Sequence, residues 1–416
     1  MKGWLKRLRD KAWPIPFEVA QVKLKLGDIF ARTYKGPPLP VMNNSRRLSQ
    51  GFPFFLAFFG DFTLGIELLA LPLKGYALGA NPLQLGVLGG ASSALYSFFP
   101  LFAGKLGDRV GRRLPIRVFL LVYPILTSSY FLANSVAELI VLRFLEGGVW
   151  ALYWPSLEAL LAARGGRKSI RLYNLSWGAG ALTGPLVGGV IVFLVGPSQT
   201  FLIITAVTLL VALLSLWLLA SAYEGVNLTS NQQKEQLEII YLISAFGFGF
   251  VLTGFLSYFP VVATRYGLSA VYAGGFEGNL SLWRIGSFFA AGYLLDRLRH
   301  FSSKSLIFLT VAAFLLPLCL SFGSRTWLIS TALLGFASGL LYAVSIHAVL
   351  EGGAARGSRA GIFESMIGFG SISGPIVMGG LAPLFGGPLA PYIVLALLAI
   401  PVAAFMFFAR SKALII

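Results

Sequence analysis

Charge is scarce in this sequence. Only 12% of its 416 residues are Asp, Glu, Lys or Arg, about half the share that a soluble chain of this size carries. A single cysteine, Cys319, excludes an internal disulfide, and its apolar surroundings assign it to packing. The two histidines, His300 and His347, are too few for a histidine relay. No cluster with metal-ligand spacing, phosphate-cradling loop or nucleophile–base pattern is present, so neither an enzyme nor a bound cofactor is expected. Nor is a cleavable signal peptide expected, because the basic start meets no apolar core until residue 51.

Apolar residues are abundant, at 56% of the chain. They fall into twelve runs, at about 50–73, 83–104, 114–133, 138–162, 173–195, 199–222, 239–262, 270–294, 305–323, 326–350, 361–385 and 389–409. Each approaches the roughly 20 residues that a helix needs to cross a bilayer. Only helices and closed barrels satisfy their backbone in lipid, and these runs are too long and too uniformly apolar for barrel strands.

The net charge of +17 raises the question of nucleic acid, but its placement answers with a membrane. With the N-terminus in the cytoplasm, 28 of the 33 Lys and Arg residues fall on that side. Lys74, Arg265 and Arg325 fall outside, while Arg143 and Arg284 lie within segments. This is the positive-inside bias, with both termini cytoplasmic and the basic charge facing an anionic leaflet. The expected location is the cell membrane. In residues 1–48, Trp4, Leu5, Leu8 and Ala12 share a helical face among Lys6, Arg7, Arg9 and Lys11, which predicts an interfacial helix ahead of a stiff linker containing Pro37, Pro38 and Pro40.

Between the second and third runs lies a charged loop, GKLGDRVGRR, from Gly104 to Arg113. It resembles the G-x-L-x-D-R-x-G-R-R loop signature of the major facilitator superfamily of transporters, with Gly104, Leu106, Asp108, Arg109, Gly111, Arg112 and Arg113 all present. The resemblance implies twelve transmembrane helices in two six-helix pseudo-symmetric halves, an all-α integral membrane protein. It also implies a gating role for this loop. Asp108 would sit at the positive N-terminal end of a helix of the other half, by resemblance the eleventh, starting near Gly361. Arg109, Arg112 and Arg113 would pair with acids such as Glu158, and Gly104 and Gly111 would permit close approach.

The chain repeats itself. Pro72, Gly79, Gly86 and Asp108 match Pro260, Gly267, Gly274 and Asp296 at an offset of 188, and Tyr153 matches Tyr342 at 189. Gly180, Gly184 and Pro185 match Gly370, Gly374 and Pro375 at 190. In the second copy of the loop signature Asp296 and Arg297 persist, while the Arg pair is gone. The expected organisation is a basic segment 1–48, a half 49–222, a cytoplasmic loop 223–238 and a half 239–416. The Asn227 sequon, cytoplasmic on this topology, should carry no glycan.

The fifth segment carries Gly180-x-x-x-Gly184-Pro185-x-x-Gly188-Gly189, a face of small residues where two helices can touch. The string looks like the signature of the superfamily's proton-coupled drug antiporters. The fourth segment carries Arg143, Glu146 and Gly147, similar to an R-x-x-Q-G pattern in the superfamily, with an acid in place of the amide. Charges inside a membrane are costly and usually functional. Arg143 and Glu146, three apart, are placed to pair. Asp61 and Glu67 on the first segment point about 240° apart, so at most one faces a central cavity squarely, and Asp61, nearer mid-membrane, is the better proton site. Glu277 and Arg284, seven apart, share a face and are placed to pair with each other or across to the first segment. Trp150, Tyr153, Trp154 and Trp177 are candidates to line an apolar cavity.

The expectation is therefore a monomeric alternating-access transporter that exports small apolar or amphipathic compounds against protons. Two alternatives stand beside it, an uptake permease for a sugar or organic anion and a non-transporting membrane sensor or assembly protein.

Overall fold

A computed structural model describes residues 44–99, 111–218, 236–298, 302–351, 356–410 and 413–415. Contacts divide the chain into Met1–Arg47 and Leu48–Ile416, and the helical bundle belongs to the second unit. The interfacial helix expected near Trp4, the Asn227 sequon and loop residues 100–110 lie outside the described residues.

Among the described residues there are eleven α-helices: α1 (Asn44–Ala77), α2 (Pro82–Tyr96), α3 (Arg113–Leu132), α4 (Val136–Val195), α5 (Pro197–Leu218), α6 (Ile239–Arg265), α7 (Ala270–Leu298), α8 (Ser303–Leu315), α9 (Ser324–Glu351), α10 (Arg356–Leu381) and α11 (Ala390–Ala409). A 3-10 stretch, Leu316–Phe322, extends α8 and holds the half-buried Cys319. Nine of the described helical stretches are long and apolar enough to cross a membrane. Of the others, α2 is described over 15 residues, and α7 and the first part of α4 carry the buried charges Glu277, Arg143 and Glu146.

The expected fourth and fifth segments are joined in α4, which is helical without interruption over 60 residues. It nevertheless doubles back. Tyr173 and Glu158, 15 residues apart, would stand about 22 Å apart on a straight helix, yet the Tyr173 hydroxyl donates to the Glu158 carboxylate at 2.8 Å. The first arm (136–161) runs antiparallel to α1, with Tyr153 near Leu56 and Gly60 and Arg143 at Glu67. The second arm (Leu172–Val195) runs parallel to α1, with Gly180 on Phe58 and Gly188 on Ile66. The twelve expected segments are thus all present.

The turns at one end of the bundle are short. Gly79 closes the α1–α2 turn at φ 83° and Gly267 closes the α6–α7 turn at φ 76°, a backbone region that a side chain disfavours. The Asn81 side chain then caps α2 in a capping box with Gln84. Lys74, which the charge count places on the outer side, is buried in the last turn of α1. Its ammonium donates to the Tyr130 and Phe131 carbonyls at the C-terminal end of α3, where the helix dipole favours a cation. At the opposite, basic end the sequence pattern missed a short pairing. The strands β1 (Gln236–Glu238) and β2 (Ala413–Ile415) run antiparallel, with Leu237 opposite Leu414.

The internal repeat is visible in the packing. Gly180 lies against the backbone of Phe58 and Phe62, and Gly370 lies against that of Phe246 and Phe250, the partners of both glycines also separated by 188. A Cβ at either position would collide with a carbonyl of α1 or α6. Replacing Gly180 by Val should therefore destabilise the protein by about 1–3 kcal/mol through overpacking, read as a lower melting temperature. An unchanged melting curve would contradict the tight α1 contact.

The first six segments meet the last six along two seams related by the same repeat. Gly86 of α2 lies on the Pro375 carbonyl of α10, and Gly274 of α7 lies on the Pro185 carbonyl of α4. Gly379 on the Pro82 carbonyl matches Gly189 on the Ala270 carbonyl. The single hydroxyl proton of Tyr258 is shared between the Pro375 and Pro82 carbonyls, at 2.6 and 3.0 Å, on one of these seams. The seams begin at the short-turn end and run inward to Ser97 beside Ser365 and Gly368, and to Trp177 beside Phe288.

Candidate functional site

Two charged sites lie within the bundle. The first is sealed inside the first six segments. Arg143, from the first arm of α4, donates through Nη1 to Glu67 of α1 and, at 2.8 Å, to Glu146 one turn along its own helix. Tyr123 donates to Glu67 Oε2 at 2.9 Å. Tyr130 and Trp150 Nε1 donate to the two oxygens of Glu146 at 2.5 and 2.6 Å. Glu67 and Glu146 are fully buried and Arg143 is 3% exposed. Three short-spaced aromatics of α3 and α4, Phe119, Trp150 and Tyr153, close the apolar wall, with centroids 4.1–5.6 Å apart.

Trp150 and Tyr153 are therefore not cavity-lining residues. Trp150 is 4% exposed and Tyr153 fully buried, and the Tyr153 hydroxyl donates to the Leu56 carbonyl at 2.6 Å. Helical spacing puts an aromatic on one face, but it cannot say whether a cavity or a neighbouring helix covers that face. Trp154 and Trp177 are half-buried.

The second site lies between the two sets of segments. Asp61 of α1 and Arg284 of α7 are half-buried, and each feels the charge of the other. Glu277 is not Arg284's partner, and neither of its carboxylate oxygens has a hydrogen-bond partner among the described residues. Toward the basic end the space opens. Glu158 of α4 and Glu364 of α10 are exposed, and each lies within electrostatic reach of Tyr96 and Tyr342. At the inner ends of the two seams Phe98 meets Phe369 edge-on at 5.3 Å and Trp177 meets Phe288 at 6.0 Å. The groups gathered between the two sets of segments are thus carboxylates, one guanidinium and aromatic faces drawn from α1, α2, α4, α7, α9 and α10. Glu364 escaped the sequence reading, although the rule that singled out Asp61, a charge in an apolar run, applies to it equally.

Of the gating candidates, Gly104, Asp108 and Arg109 lie outside the described residues. Gly111 holds φ 87°, and Arg112 and Arg113 lead directly into α3. The described partner of Glu158 is Tyr173. Asp296 and Arg297 lie in the last turns of α7. Gly180, Gly184, Gly188, Gly370 and Gly374 pack within their own set of segments, whereas Gly189 and the carbonyls of Pro185 and Pro375 lie on the seams.

A bundle of membrane-length helices, repeated once and enclosing a charged chamber between its repeats, defines a multi-pass membrane transporter. The profile of the Major Facilitator Superfamily matches residues 53–351, and the chain belongs to that family. It is 33% identical over 124 residues to the tetracenomycin C resistance and export protein of Streptomyces glaucescens, a match covering 29% of this chain and 23% of that one. It is 30% identical over 186 residues to the multidrug resistance protein MdtG of Proteus mirabilis (strain HI4320), covering 42% of this chain and 46% of that one. Both matches thus span less than half of the relative's length. In fold it resembles a bacterial homologue of the human lysosomal transporter Spinster in an inward-facing, unoccupied conformation, with a TM-score of 0.70 at 16% identity over 89% of this chain and 96% of that one.

Proposed function

We propose that this transporter exports small apolar or amphipathic compounds in exchange for protons. The carrying observation is a half-buried acid on α1, Asp61, and a half-buried base on α7, Arg284, which belong to opposite repeats and lie within each other's electrostatic reach. Halves 49–222 and 239–416 rock about this chamber, as the parallel repeats suggest. The basic end is read as cytoplasmic, with both termini there, so the seams close the outer side. A proton on Asp61 cancels the attraction to Arg284 and changes the relative energy of the two arrangements, and this differential proton affinity supplies the coupling. The aromatic faces of Phe98, Phe369, Trp177 and Phe288 offer an apolar compound its contacts. The two relatives, one named for resistance and export and one for multidrug resistance, support the same reading.

The buried Glu67–Arg143–Glu146 group has two acids for one base, so it is neutral only if one acid holds a proton. It gives the first half a proton store away from the compound.

The test is proton movement in proteoliposomes holding a pH gradient while lipophilic cations and neutral drugs are added. A drug should dissipate the gradient, and Asp61→Asn should abolish that response. Arg284 in the chamber favours a second reading, uptake of an anion. Accumulation of an organic anion with no drug-driven proton movement would put that reading in place of the first.

A further inference from the structure

Glu277 is used by neither site, and its surroundings are unusual for a carboxylate. It is 1% exposed, in the interior of α7, and neither oxygen has a hydrogen-bond donor among the described residues. The helices packed against α7 are α9, the arms of α4 and α6. Their charges do not reach it. The second arm of α4 has no charged residue, and α6 has only Arg265, its last residue. In α9 the charged residues are Arg325 at one end and Glu351 at the other, with His347 one turn before Glu351. In the first arm of α4, Glu138 accepts from the Asn134 N–H at the helix start, Arg143 and Glu146 are bound to each other, and Glu158 is bound to Tyr173. On α7 itself Arg284 stands two turns away, about 10 Å along the axis. Two tyrosines complete the surroundings. Tyr392 of α11, which feels Glu277, donates to the Phe255 carbonyl at 3.1 Å, and Tyr258 is bound to the seam carbonyls.

An ionised carboxylate without a partner costs several kcal/mol inside a bilayer. A neutral carboxylic acid in the same place costs far less. The position of Glu277 also matters. Its neighbour Gly278 packs on Leu186 and Leu182 of the second arm, and Gly274, one turn earlier, packs on Pro185. Phe276, on its other side, packs on Phe259 and Trp327. Glu277 thus adjoins, along α7, the residues that form the seam to α4, and its carboxylate lies within electrostatic reach of Tyr392 of α11.

We propose that Glu277 is a second proton site, belonging to the last six segments, loaded and sealed while the seam at the short-turn end is closed, and exposed to water when α7 parts from the second arm of α4. This deepens the proton-coupled reading and rests on it only for the transport consequence. The transporter would then carry a proton in each repeat, at Glu277 in one and at Asp61 or the Arg143 group in the other.

The first measurement is the infrared C=O stretch of protonated carboxylic acids in the full-length protein in lipid nanodiscs at neutral pH. The wild type minus E277Q difference should show a protonated-acid band, and the same band should persist in an Asp61→Asn background. Loss of an ionised-carboxylate band instead would overturn the proposal. Stability gives a second check. Because a neutral, unpartnered acid loses nothing to an apolar residue, E277L should melt no lower than the wild type. If E277Q and E277L both melt well below it, Glu277 is held as an ion and the proposal fails. In the transport assay, E277Q should lower the protons moved per compound by about one while the compound still binds. An unchanged ratio with the infrared band lost would overturn the coupling role. If the wild type moves no protons but the band is present, the export reading fails while the protonated site stands.

Discussion

Arg143→Ala should give the largest loss of stability of any single substitution in this protein, together with complete loss of transport. Arg143 is the one base inside a buried group with two acids. Its removal leaves Glu67 and Glu146 with only the hydroxyls of Tyr123 and Tyr130 and the Trp150 indole. Breaking a buried ion pair by deleting one partner costs about 3–5 kcal/mol, because the other charge stays buried. Here one acid already holds a proton in the neutral group, and the other is stranded as a buried anion unless it takes up a second. Arg143→Lys should be intermediate, since a lysine keeps the charge but not the planar guanidinium whose Nη1 sits between the two carboxylates. The combination R143M/E67Q/E146Q separates stability from function. It removes every charge together, so melting should recover toward the wild type while proton-coupled transport stays absent. Melting curves of the three purified variants, with transport in proteoliposomes, make the check. If Arg143→Ala melts like the wild type, the ion group is not holding α1 to α4.

Much of this arrangement was legible in the chain itself. Twelve apolar runs and an internal offset of 188–190 residues fix the segments and their repetition, because backbone in lipid has no alternative to a helix. Charges inside those runs identified Asp61, Glu67, Arg143, Glu146, Glu277 and Arg284, since each is too costly to keep without a reason. Their pairing was harder to see. The divergence of Asp61 and Glu67 by about 240° is a property of one helix, but which direction meets the chamber depends on where α4 and α7 lie. Glu67 turns to Arg143, and Asp61 turns to Arg284. The arms of α4 gave a related difficulty. The polar residues 164–171 separate two apolar runs, yet the helix continues through them while the chain reverses. The β1–β2 pairing spans three residues on each side, too short for any period to show.

The seam glycines yield a prediction that the repeat alone could not make. Gly86 and Gly274 match in sequence, but only the structure shows that each meets a proline carbonyl of the opposite repeat. A Cβ on Gly86 would run into the Pro375 carbonyl and the Tyr258 hydroxyl, and one on Gly274 into the Pro185 carbonyl. Backbone cannot yield as a flexible side chain can, so Gly86→Leu and Gly274→Leu should each hold its seam apart. Inverting a two-state balance from 1:99 to 99:1 takes about 5.5 kcal/mol, and a side chain forced into backbone on a packed interface can supply a large part of it. Gly275→Leu is the control, because nothing lies within 4 Å of a Cβ there. Spin labels at Leu83 of α2 and Leu384 beside α10, both exposed, report the short-turn end once the native Cys319 is replaced by Ala. Gly86→Leu should lengthen that distance and stop transport, while Gly275→Leu should leave both unchanged. Gly274→Leu, on the other seam, should stop transport as well, because the repeats close as a pair. A Gly86→Leu protein that keeps the short distance and transports normally would show that this seam is not the closed gate.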